Sequence, residues 1–135
     1  MYPHWHKTPE TAADWFEALF NLARYLRGPE GCPWDRAHTV LEFAADVSDE
    51  ARELHEALAS GDNAHAAEEF GDVFFILMAT AAAAEQEGRF RLKDALERAH
   101  AKMIRRHNHV FGPTKARTPE EAINSWKRTK KAEKK

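Results

Sequence analysis

Residues 68 to 88, EEFGDVFFILMATAAAAEQEG, constrain the fold most strongly: twelve consecutive residues from Val73 to Ala84 carry no charge, yet Glu68, Glu69 and Asp72 stand at their start. At about 100° per residue, Phe70, Val73, Phe74, Phe75, Ile76, Leu77 and Met78 are scattered right round a helix. A helix apolar on every side is a buried helix. The run falls well short of the roughly 20 residues that span a bilayer, so it predicts a core helix. An ionised carboxylate on such a helix is costly unless it is paired, hydrogen-bonded or bound to a metal. Asp72 is therefore expected to have a partner.

That partner is sought one helix earlier, in DEARELHE at 49 to 56. Glu50 and Glu53 are three residues apart, as are Glu69 and Asp72, and residues at this spacing share a helix face. Glu53 lies eight residues before Gly61 and Glu69 eight after it, so an antiparallel hairpin turning at the glycine brings the two acidic pairs to one level. Four converging carboxylates repel one another, and divalent cations relieve the repulsion. An oxygen-only donor set suits Mg²⁺ or Mn²⁺ better than Zn²⁺. The plain alternative is a pair of solvated acidic faces, the usual state of such pairs. A di-iron bundle would need Glu-x-x-His on two helices, and only Glu97 to His100 fits that pattern.

The remaining signals are helical. In TPET at 8 to 11, Thr8 is expected to cap a first helix with Pro9 at its first position; Trp15, Leu19, Leu22 and Leu26 follow at helical spacing, to about Arg27. GPEGCPWDRAH, with two glycines and two prolines, reads as a loop. TVLE at 39 to 42 is a capping box for the second helix, which Gly61 stops. Asp62 or Asn63 caps the third, with Gly88 beyond its end. A fourth helix near 93 to 107 carries Ala95, Leu96, Ala99 and Met103 on one side, and TPEE at 118 to 121 starts a last one through Trp126. Short connections favour antiparallel neighbours. The expectation is one all-α domain over residues 1–135, with a four-helix bundle core, an additional C-terminal helix and a basic tail over about 127–135.

A length of 135 residues, 43% hydrophobic and 31% charged, is ordinary for one soluble domain, and a net charge of −2 gives no general pull toward nucleic acid or an anionic membrane. Cys32 has no second cysteine to pair with, and the polar start MYPHWHKTPE lacks the features of a signal peptide, so a cytoplasmic location is expected. Lys102, Arg105 and Arg106 fall on nearly one helix face, suited either to phosphate oxygens or to a solvated helix end. His107 and His109 near the same end are most simply surface histidines, and Trp34 and Trp126 are open to use as core anchors or as stacking faces for a base.

In order along the chain, LRGPEGCPWDRAHT, DEARE, EEFGDVFF, EGRFRLKDAL, KMIRRHNHVF and SWKRTK resemble the blocks of the MazG family of nucleotide pyrophosphohydrolases, over about residues 19 to 131. The resemblance implies an all-α bundle completed by dimerisation, sometimes as a dimer of dimers, and Mg²⁺-dependent hydrolysis of nucleoside triphosphates to monophosphate and pyrophosphate, with house-cleaning of non-standard nucleotides as a role. It implies Glu50, Glu53, Glu69 and Asp72 as metal ligands, Lys102 with Arg105 or Arg106 on the triphosphate, and Trp126 with Lys130 near the substrate. Glu53 is the candidate to orient or deprotonate the water, and Lys102 with the arginines to stabilise the departing charge. The chain departs from the family pattern at His38, where glutamine is usual, at Asp49 and at Arg52. None of these removes an implied ligand. A phosphoribosyl-ATP pyrophosphohydrolase-like activity and a non-catalytic helical regulator are the other readings; a substrate panel separates the first and turnover the second.

Overall fold

The structure is a computed structural model, described here over residues 5–134. The described residues form seven helices and no strand: α1 (Ala12–Leu26), α2 (Pro33–Ala37), α3 (Val40–Ser60), α4 (Asn63–Gln86), α5 (Leu92–Arg106), α6 (Asn108–Phe111) and α7 (Pro119–Glu133). The expected all-α class is observed. None of these helices is long and apolar enough to cross a membrane. The chain divides into two compact units, one up to Arg91 and one from Leu92.

In the first unit, α3 and α4 pack along one another and α1 packs on α4. Thr39 and Glu42 form the expected capping box, each side chain accepting from the other's backbone N–H at 3.1 and 2.9 Å. Gly61 ends α3 with φ +83°, a left-handed conformation that glycine adopts without a Cβ penalty. Asp62 then caps α4, accepting from the His65 N–H at 3.1 Å. These local bonds turn the chain back on itself. The start of α3 consequently meets the end of α4, in a core of Val40, Phe43, Ala79, Ala83 and Ala84.

Two starts differ from expectation. The first helix is capped by Thr11, not Thr8, because Asp14 accepts from both the Thr11 and Glu10 N–H groups while Thr11 Oγ1 accepts from Asp14 N–H. The Glu10 and Thr11 amides and Lys7 hold the Asp14 pKa at about 2. Pro9, buried, precedes this helix. The supposed loop also contains α2, with Pro33 at its first position. Gly31 makes the approach possible: a Cβ there would stand 2.3 Å from the Leu26 carbonyl oxygen. Arg27, only 7% exposed, then ties the turn together, donating from NH1 to the carbonyls of Asp35 and His38 and from Nε to Gln86.

Burial along α4 is not what its apolar circumference predicts. Its buried residues after Ala66 are Met78, Ala79, Ala81, Ala82, Ala83 and Ala84, whereas Phe70 is 57% exposed and Leu77 40%. Small side chains let neighbouring helices close on the second half of α4, whereas in the bulky first half Phe74 meets the edge of Phe16 from α1 and Phe70 stays uncovered. Asp72 accordingly is exposed rather than interior.

In the second unit, α5, α6 and α7 contact one another. Thr118 caps α7 with Pro119 at its first position, as the sequence predicts. The apolar side expected of α5 is not sealed: Leu96 and Met103 are 47% and 41% exposed.

Candidate metal centre

Residues spaced three apart on each arm of the α3–α4 hairpin present their carboxylates toward the opposite arm. Glu50 from α3 and Glu69 and Asp72 from α4 each bring a carboxylate oxygen to within 4.8 Å of the others. Asp72 was expected to bear the burial cost. It falls instead on its two companions, since Oε2 of Glu50 and Oε2 of Glu69 are enclosed and have no hydrogen-bond partner. A buried acceptor without a donor is unfavourable, and a charged one more so.

The ionisation of the cluster registers that strain. Burial, then repulsion from Glu53, raises the Glu50 pKa above the ordinary carboxylate range, with Asp72 and Glu69 adding to it. Burial and the Glu53 and Asp72 charges raise Glu69 likewise, opposed by His65. Glu53 is exposed and stands outside the tight trio, but its charge reaches both half-buried carboxylates. It also lines a groove of about 390 Å³ with Glu56, Ala57, Ser60, His65 and Glu69.

Unpartnered enclosed oxygens, mutual repulsion and an all-carboxylate donor set fit a hard divalent cation such as Mg²⁺ or Mn²⁺. His65, whose Nε2 lies 3.7 Å from Glu69 Oε1, was not among the expected site residues, although its i, i+4 spacing to Glu69 could have drawn attention to it.

The cationic candidates lie in the second unit. Arg106 and Lys130 both sit over the Trp126 ring, at 5.6 and 4.9 Å from its centroid. Arg105 Nε donates to Glu133 at 2.6 Å and Arg106 NH2 at 2.9 Å, and these bonds, Arg105 first, hold the Glu133 pKa at about 2. Glu133 sits in a segment the sequence marks only as a basic tail, so its role as counter-ion was missed. Lys102 makes no such pair among the described residues. It lines an open groove of about 470 Å³ with Ala95, Ala99, Arg98 and Arg105. Arg98, one turn before Lys102 and on the same helix face, adds a further cation to this groove. His107 is occupied, its Nδ1 lying 2.6 Å from the Met103 carbonyl oxygen. In the first unit Trp34, 58% exposed, stacks on His38 with ring centroids 4.2 Å apart, so it is no core anchor.

An all-helical chain carrying an acidic pair on each arm of a helical hairpin belongs to the class of carboxylate-bearing α-helical proteins. The sequence model of the MazG nucleotide pyrophosphohydrolase domain matches residues 38–111, more than half of the chain, and this chain belongs to that family. It is 38% identical over 119 residues to the uncharacterised protein YabN of Bacillus subtilis (strain 168), and 35% identical over 119 residues to the nucleoside triphosphate pyrophosphohydrolase/pyrophosphatase MazG of Thermotoga maritima. Each comparison covers 88% of this chain, but only 24% of the first relative and 45% of the second. The chain thus spans from about a quarter to under half of these relatives' lengths. The crystal structure of a mazG-related protein from Thermotoga maritima superposes with a TM-score of 0.71 at 29% identity, covering 85% of this chain and 98% of that one.

Proposed function

We propose that this chain hydrolyses nucleoside triphosphates to a monophosphate and pyrophosphate, using Mg²⁺, for which Mn²⁺ can substitute, held by Glu50, Glu53, Glu69 and Asp72. The observation that carries the proposal is the pair of enclosed, unpartnered oxygens of Glu50 and Glu69 beside Asp72. The names of relatives such as the Thermotoga maritima pyrophosphohydrolase support the same chemistry. When bound, the cation supplies charge neutralisation and Lewis acidity toward the phosphates.

The chain's own residues carry the remaining work. Glu53, exposed at the edge of the trio, takes the proton of a water attacking the α-phosphorus. A new P–O bond forms there as the bond to the bridging α–β oxygen breaks, and pyrophosphate leaves. Lys102 stabilises the charge gathering on the leaving group, together with Arg105 or Arg106 once Glu133 yields one of them. Trp126, with Lys130 beside it, offers a ring face near the substrate.

The working unit in this proposal is a homodimer or a dimer of dimers in the cytoplasm, with a second copy covering the exposed Phe70 and Leu77 of α4. House-cleaning of non-standard nucleotides is the proposed role; nucleic acid polymers and membranes are not partners. The test is a product assay across ordinary, deoxy and damaged nucleoside triphosphates, with and without Mg²⁺. Pyrophosphate with a monophosphate, formed only with metal, is expected. Orthophosphate with a diphosphate as primary products, or no turnover of any triphosphate, would overturn it.

A further inference from the structure

His109 is left unused by the chemistry above, yet its Nδ1 is enclosed without a hydrogen-bond partner. The residue lines a cavity of about 550 Å³ between the α6 region and α7, whose wall also includes Asn108, Thr114, Lys115, Ser125 and Arg128. Every one of these side chains offers at least one donor. Arg128 has no carboxylate partner among the described residues, and Lys115 spends a hydrogen bond only on the Val110 carbonyl. One acid, Glu121, also lines the cavity, but its Oε2 accepts from the Arg117 N–H at 2.7 Å at the start of α7. With His109 neutral, two cations against one anion leave a formal balance of +1 (2 − 1).

A donor-rich, net-positive recess calls for an acceptor carrying negative charge. Apart from the imidazole, no aromatic ring lines it, so a nucleobase would find no face on which to stack. The recess also differs from the surface bearing Trp126. At about 100° per residue, the α7 residues lining it centre roughly 120° round the helix from Trp126, whereas Lys130 and Glu133 lie within about 40° of that tryptophan.

We infer that this cavity is a second site, binding a small phosphate-class oxyanion, with Lys115 and Arg128 as charge partners and the Asn108, Thr114 and Ser125 side chains as donors. Free phosphate and pyrophosphate share the chemistry it selects. Pyrophosphate bound here would couple the site to the product of the reaction proposed above. The anion site itself does not depend on that reaction.

Calorimetric titration of sodium phosphate and sodium pyrophosphate, in separate arms, into the full chain in EDTA keeps the carboxylate centre out of the measurement. Saturable binding of at least one anion at one site per chain is expected, and the tighter arm identifies the source. Arg128→Gln and Lys115→Gln alter exposed side chains; together they should raise Kd by roughly tenfold or more at an unchanged melting temperature, while Lys102→Ala should leave it within about twofold. The ring ¹⁵N resonances of His109, which lines the cavity, should move on saturation. Absence of saturable binding in both arms, an unchanged Kd in the double variant, or loss of binding in Lys102→Ala would each overturn the inference.

Discussion

Replacing Arg27 by methionine tests the clamp that joins α1, α2 and the end of α4. Arg27 is 7% exposed, and its guanidinium donates to the Asp35 and His38 carbonyls and to Gln86 Oε1 and lies 5.9 Å from the Phe43 ring centroid. Methionine keeps most of the packing volume and removes every donor. Gln86 is exposed and regains water. The Asp35 carbonyl bond is buried and the His38 one partly so, and unsatisfied acceptors of this kind cost about 1–3 kcal/mol each. Relief from burying a charge offsets some of that, leaving a net loss of about 2–4 kcal/mol. For a chain of this size the melting temperature should fall by about 10 °C. Arg27→Lys should land in between, because a single ammonium cannot span the acceptors an arginine fork reaches. Melting of the EDTA-treated protein by circular dichroism, with hydrogen exchange at the α2 amides, reads both the loss and its location. A methionine variant melting within about 2 °C of the parent, or α2 amides as protected as before, would refute the clamp.

Three further outcomes are expected. Mg²⁺ or Mn²⁺ should raise the melting temperature by mass action, and Asp72→Asn should lose most of that rise while its metal-free form melts no lower than the parent; a sharply lower metal-free melting point would mean that Asp72 is a structural partner instead. The metal-free protein should show two pH-dependent contributions of opposite sign, one from the acidic cluster and one from Glu133. The raised pKa values of Glu50 and Glu69 mean that the native state holds protons the unfolded chain has released, so acidification from neutral through those values stabilises. The depressed Glu133 contributes stability that is complete above 4.5 and lost as pH falls toward about 2; chemical denaturation across pH, with Glu133→Gln as control, checks both signs. Finally, mixing inactive Glu53→Gln and Lys102→Ala chains should restore turnover in hybrid dimers, and failure of rescue despite proven subunit exchange would assign both residues to one chain's site.

Features governed by bonds within a few residues were legible in the sequence. Thr39 with Glu42, Gly61, and Thr118 with Pro119 fixed their helix ends as expected, and the hairpin register that brings Glu50 toward Glu69 and Asp72 follows from counting residues about Gly61. Thr8 misled because a proline one residue on is a start signal that the Thr11–Asp14 exchange outcompetes. The role of Arg27 could not be seen at all, since its acceptors are mainly backbone carbonyls, which no residue type announces. Asp72 was expected to be interior because apolar content was weighed by large side chains. The residues actually buried beyond it are mostly alanines, whose value lies in how closely a neighbour can approach.

The symmetric placing of Glu53 and Glu69 about Gly61 limits how this hairpin can change length. One residue inserted between Gly61 and Glu69 would swing Glu69 and Asp72 by about 100° and shift them by about 1.5 Å along α4, away from Glu50. Seven residues return nearly to the starting azimuth, about 20° short. Heptads added to both arms together would lengthen the turn-proximal end while the carboxylates still faced one another. Insertions and deletions compatible with the acidic cluster are therefore those that add or remove nearly whole turns in both arms together, the heptad being the shortest that returns to within about 20°, whereas the segment following α4 is free of that arithmetic.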